Sequence, residues 1–162
     1  MNDPTHIVLH CSASRWGNAE IIDEWHANRG WEGIGYHWIV LGGYTRPGDY
    51  VAERADDGRI EPGRPEDEAG AHAPGLNSRS IGICMIGKNG EHSFRQRVAA
   101  LALVASLCLR YGVKVCHVLG HFETECEQSK AEAQRKTCPD IDMGLFRAEL
   151  RPLITMMSRE DV

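Results

Sequence analysis

Four short apolar runs constrain this chain most: residues 7–11 ("IVLHC"), 36–41 ("YHWIVL"), 80–86 ("SIGICMI") and 113–120 ("VKVCHVLG"). Each is rich in β-branched or other large apolar side chains and is bounded by turn chemistry, the pattern of buried strands. Helical signals separate them. Asn18 reads as an N-cap, Ile21, Ile22 and Trp25 fall on one helical face, and Gly30 supplies the stop. Ser93 and Gln96 form a capping box that opens the longest helix, "FRQRVAALALVASLCLRY", closed by Gly112. Residues 52–75, rich in Gly, Pro, Asp and Glu, read as a hairpin and an exposed loop. Residues 121–140 read as a long polar loop, helical in its middle. Asp142 caps a last amphipathic stretch carrying Met143, Phe146 and Leu150, which Pro152 is expected to interrupt. This order predicts an α+β fold, a mixed central β-sheet flanked by helices.

At 162 residues the chain is expected to form a single domain, 1–162, with its core at about 5–150. That length buries a core without help from disulfides or metal. The net charge of −5, with no basic run, weighs against nucleic acid and against an anionic membrane surface. No apolar stretch approaches a membrane span. The N-terminus "MNDPTHIVLHC" lacks a basic segment followed by a long apolar one, so synthesis in the cytoplasm without a signal peptide is expected. In that reducing compartment the six cysteines are mostly small buried hydrophobes, with room for one metal ligand or nucleophile.

Three residues draw attention as metal-capable groups at strand ends or in loops: His10, His121 and Cys138. Two imidazoles and a thiolate would leave a fourth position for water, the arrangement of a catalytic zinc site. Their spacing matches no local motif, and rivals exist. His117 and His121 stand four apart, but their β-branched surroundings are not helical. Cys11 adjoins His10, but neighbours on a strand face opposite sides. Cys126 is a second thiol in the polar loop.

The stretches "IVLHCSAS", "GYHWIV", "GAHAPGLNSRSIGICMIG", "VLGHFE" and "KTCPD" occur in that order. Together they resemble the zinc-dependent N-acetylmuramoyl-L-alanine amidases of the bacteriophage-lysozyme (endolysin) type, kin to the peptidoglycan recognition proteins, over residues 5–150. The resemblance implies a zinc cleft on one side of the sheet. It implies hydrolysis of the amide between N-acetylmuramic acid and the L-alanine of the stem peptide in peptidoglycan. By position it implies His10, His121 and Cys138 as Zn2+ ligands, Tyr36 and Lys136 as catalytic residues, and His72 as a substrate-binding histidine of the cleft. A monomeric endolysin made in the cytoplasm and reaching the wall after membrane breach is the implied biology. A cytoplasmic amidase recycling anhydro-muropeptides, or a non-catalytic peptidoglycan-binding module, is the alternative; relatives of the second kind typically lack the ligand cysteine.

The chain departs from the resemblance in three places. The loop from His121 to Cys138 is longer than in compact phage enzymes, and residues 42–60 look expanded. Cys84 stands where some bacterial members carry a glutamate base. His37 is expected to face away from Tyr36, into the core or behind the metal ligands, and not to be a ligand itself. Trp16 or Trp31 could stack on a sugar face, and His6, His26, His92 and His117 read as structural.

Overall fold

The structure, a computed structural model, describes residues 1–44, 47, 56–131 and 137–160. Its elements are β1 (His6–Cys11), α1 (Ala19–Ala27), β2 (Trp38–Val40), β3 (Ile60–Pro62), β4 (Ser80–Met85), α2 (Phe94–Tyr111), β5 (Val118–Gly120), α3 (Glu125–Gln128) and α4 (Met143–Glu160). The sheet runs β3-β2-β4-β1-β5, parallel except for the antiparallel β2–β3 pair. This is the expected mixed α+β sheet with helices. None of the described helices is long and apolar enough to cross a membrane.

Alternation along the strands divides the sheet into two faces. Ile7, Leu9, Ile81, Ile83 and Met85 pack with Leu101, Val104 and Leu107 of α2 and with Phe146 and Leu150 of α4. The opposite face carries two smaller clusters. One joins Ile39, Leu41, Cys84 and Ile86 to Ile22 of α1; the other joins Val8 to Ala73 and Leu76 of the 71–77 loop. Each fully buried aliphatic contributes about 1.5–3 kcal/mol, so the first face, with most of them, anchors the fold. The second face leaves space beside His10.

The expected caps are present. Ile21 N–H donates to Asn18 Oδ1, and the Ser93–Gln96 box closes in both directions. Gln96 is also buried and donates through Nε2 to the carbonyls of Val40 and Ile86, tying α2 to the ends of β2 and β4.

Three expectations are corrected. The run 113–120 is a strand only from Val118; Val115–His117 form one 3-10 turn, which stacks the His117 ring on His6 at 4.7 Å. Helix α4 runs straight through Pro152. Ala148, whose carbonyl loses its helical donor there, and Pro152 are both exposed, so water can serve that carbonyl. Finally, the β2 ladder begins at Trp38, not Tyr36. That break releases Tyr36 from strict alternation. Trp38 packs on the α2–α4 face, while Tyr36 packs on the opposite face. His37 is not turned away from Tyr36: both rings lie against His72, at 5.7 and 6.2 Å between centroids. Most of the stretch read as expanded, 42–60, lies outside the described residues.

Candidate active site

Strand register explains how distant residues meet. β1 and β5 are parallel neighbours with Leu9 level with Gly120. The next residue of each chain segment, His10 and His121, therefore emerges at the same sheet edge, where strand ends of open α/β sheets commonly hold ligands. Their ring centroids are 4.5 Å apart. Cys138 arrives from the turn before α4. Cys11 N–H donates to its Sγ at 3.1 Å, and Phe122 N–H donates to its carbonyl at 3.0 Å. One donor atom from each of His10, His121 and Cys138 lies within 4.8 Å of the others, the single cluster of this kind among the described residues. Metal–nitrogen and metal–sulfur bonds of about 2.0–2.3 Å fit a common centre of that size.

The contacts behind His10 favour one tautomer. Ser80 Oγ–H donates to the Leu76 carbonyl at 2.7 Å, so the hydroxyl proton is committed. His72 Nε2 lies 3.5 Å from that oxygen, a long contact that favours the ring proton on Nε2. His72 Nδ1 is left as an acceptor, and His10 Nε2–H donates to it at 3.1 Å. His10 therefore presents a bare Nδ1 lone pair, the state a metal requires.

This relay needs a neutral His72. Burial first, with smaller contributions from His37, His121 and Arg64, lowers the His72 pKa to about 3. The folded value lies below the unfolded one, so the unfolded chain holds more protons between pH 3 and 6.5. The stabilisation is complete above pH 6.5 and is lost as the pH falls. Since the slope approaches about 1.4 kcal/mol per pH unit only below pH 6.5, His72 alone removes roughly 2 kcal/mol between pH 6.5 and 4.5. Thermal melts of chelated protein should show this loss, and His72→Gln should flatten the slope; equal slopes would refute the assignment.

Tyr36 stands on the other side of His10, with 5.0 Å between ring centroids. Burial raises its pKa well above the usual phenol value, so the hydroxyl keeps its proton at neutral pH. Gly35 sets its position. Gly35 accepts from Ala71 N–H at 3.0 Å, and a Cβ at Gly35 would lie 2.3 Å from the Ala71 carbonyl oxygen. Only glycine lets the backbone before Tyr36 approach the loop that carries His72. Gly35→Ala should cost about 1–3 kcal/mol through overpacking and lower activity beyond its effect on folding. An unchanged denaturation midpoint would show that the contact relaxes freely.

Tyr36, His72, the three potential ligands and Trp31 line one cleft of about 460 Å3. A family model described as N-acetylmuramoyl-L-alanine amidase matches residues 1–141. The chain belongs to this amidase family. The amidase is 33% identical over 152 residues to the endolysin of Enterobacteria phage K11, covering 87% of this chain and 83% of that one. It is 29% identical over 143 residues to the endolysin of Escherichia phage T7, covering 85% and 81%. Among solved structures, the N-acetylmuramoyl-L-alanine amidase LysC from Clostridium intestinale superposes with a TM-score of 0.70 at 28% identity, covering 93% of this chain and 87% of that one. Drosophila PGRP-LB shares the fold, with a TM-score of 0.61 at 23% identity over 93% and 81% of the two chains.

Several of the amidase's cleft residues carry no sequence signal of their own. His26, read as structural, accepts from Gly35 N–H through Nδ1 at 3.0 Å and lines the cleft with Arg29 and Asp140. Asp140 Oδ2 accepts from Asn89 N–H at 3.1 Å. His37 is buried and spans two backbones: Nδ1 accepts from Gly82 N–H at 2.9 Å, and Nε2 donates to the Glu68 carbonyl at 3.0 Å. Cys84 is fully buried, level with His10 on the neighbouring strand and clustered with Tyr36, and burial pushes its thiol well up. Trp31 is exposed at the cleft, whereas Trp16 packs edge-on against Trp25. Lys136 lies outside the described residues.

Proposed function

We propose that this amidase is a zinc-dependent endolysin, a monomeric single domain spanning 1–162 that hydrolyses the bond between N-acetylmuramic acid and L-alanine in peptidoglycan. The observation that carries this reading is the convergence of His10, His121 and Cys138 within 4.8 Å, on a cleft that also holds Tyr36. Two nitrogens and one sulfur suit zinc better than the oxygen-preferring magnesium or calcium. Three protein donors leave a position for a reacting group, which separates a catalytic site from a closed structural one. Cys138 supplies the anionic ligand that purely binding modules of this fold are expected to lack.

When bound, zinc supplies a Lewis acid and brings the pKa of a coordinated water from about 15.7 toward 7. The protein's own groups supply the rest. His10 is fixed in its ligating tautomer by His72. Tyr36 holds a hydroxyl proton near His10, suited to hydrogen-bonding the scissile carbonyl oxygen as charge develops there. Lys136, carried over by resemblance, is assigned a second cationic donor to the same oxygen. His72 lines the cleft, and we assign it the orientation of His10 alongside any contact with the sugar-peptide substrate. Exposed Trp31 offers an aromatic face to the glycan. Action on the wall follows once the inner membrane is breached.

The test is elemental analysis of the purified chain together with two substrates in parallel, intact sacculi and soluble anhydro-muropeptides. Close to one zinc per chain with preference for sacculi supports the endolysin. Preference for the soluble substrate favours recycling, and a metal-free inactive chain that still binds sacculi favours a recognition module.

A further inference from the structure

We propose that Glu127, on the loop that exceeds the compact phage pattern, is a positioning residue for the metal ligand His121. The inference rests on the zinc reading above. Helix α3 lies within that loop, and Glu127 is its buried member at 1% exposure. A carboxylate so deeply placed costs several kcal/mol to desolvate unless charged or polar groups answer it. Two of them do. Lys130 Nζ donates to Glu127 Oε1 at 2.7 Å, and His121 Nε2 lies 3.5 Å from the same oxygen. The second distance is long for a formed hydrogen bond, which runs at about 2.7–3.2 Å.

The backbone around His121 is already fixed. Thr124 donates to the His121 carbonyl from both its N–H, at 3.1 Å, and its hydroxyl, at 2.8 Å. A metal ligand also needs its ring set, in tautomer and in tilt. A carboxylate facing Nε2 sets both, because it attracts the proton to Nε2 and leaves the Nδ1 lone pair for the ion. Carboxylate–histidine–metal chains of this kind fix ligand orientation and raise ligand basicity. The arrangement parallels that of His10, whose Nε2–H is directed at His72. The two imidazoles thus turn the same ring nitrogen toward different partners, His10 at hydrogen-bond distance and His121 at a longer one. His10 uses a neutral acceptor from the 71–77 loop, and His121 uses a charged one from the longer loop. Lys130, partly buried, places its ammonium on the same carboxylate oxygen.

The test uses the full chain stripped of metal and titrated with Co2+ against a chromophoric chelator, with the visible cobalt spectrum recorded alongside. Glu127→Gln should bind Co2+ about 10–100-fold more weakly than the original chain and should shift the spectrum. Glu127→Ala should do the same or more. Lys130→Ala, which leaves the carboxylate in place, should have the smaller effect. A merely structural Glu127 would lower the melting temperature of the metal-free chain and leave affinity and spectrum unmoved. That result for Glu127→Gln overturns the inference, even if the alanine variant fails to fold. Cys138→Ala separates the two levels. If the original chain binds Co2+, Cys138→Ala does not, and Glu127→Gln binds as well as the original, the positioning role alone falls. If the original chain does not bind at all, the zinc reading falls with it.

Discussion

Cys138→Ala lowers amide cleavage by about a thousandfold or more and leaves the purified chain without stoichiometric zinc. The size follows from what the ion supplies. Stabilising charge on a polarised carbonyl contributes several kcal/mol, and about 4 kcal/mol is a thousandfold at 1.36 per decade. The direction follows from the thiol's surroundings. Contact with the Cys11 thiol, and burial with it, hold the Cys138 thiol above the usual cysteine range. A coordinating cation reverses that balance and deprotonates the sulfur outright. Cys138 therefore binds metal only by releasing a proton, so affinity should rise with pH. Alanine removes the anionic ligand and that linkage together. The half-buried turn that carries Cys138 is also held by the Phe122–Cys138 backbone bond, so the variant should keep its fold by circular dichroism. Wild-type turnover in a folded, zinc-free variant would exclude the sulfur as a ligand.

Tyr36→Phe should lower kcat by about 100–1000-fold, the usual effect of removing one donor from a developing oxyanion. Zinc content and KM should change little. Phenylalanine keeps the ring that packs beside His10 and His26 and against the Ile22–Ile39 cluster, so folding is not the reason for the loss. Burial keeps the phenol protonated through neutral pH, so its absence cannot be replaced by a titrating neighbour. A fall in kcat and kcat/KM by the same factor is the signature of an interaction made in the transition state. A rise in KM alone would instead place Tyr36 in ground-state binding.

The strands and the two long helices were legible because apolar runs and caps are local signals. "SIGICMI" could only be a strand covered on both faces, and it is β4, buried at every position. The meeting of His10 and His121 was not legible from spacing, because it depends on β1–β5 register, with Leu9 opposite Gly120. The resemblance to a known family supplied what spacing could not. Tyr36 was found, but not the reason for its reach. That reason is the start of the β2 ladder at Trp38, together with the close Gly35–Ala71 backbone contact. His26 and Arg29 escaped notice because helical periodicity reports burial, not which cavity a buried face lines. Glu127 looked like one acid among several in a polar loop. Only the folding of α3 against His121 distinguishes it from Glu125.

The central claim is that this cleft opens one particular bond with the help of a bound ion. The most direct measurement is end-group and mass analysis of purified sacculi digested by the full chain, with and without a zinc chelator. New amino-terminal L-alanine with intact glycan strands, abolished by the chelator and restored by added zinc, is the predicted result. Cleavage of glycan or peptide cross-links instead, or alanine release that persists through chelation, would contradict it.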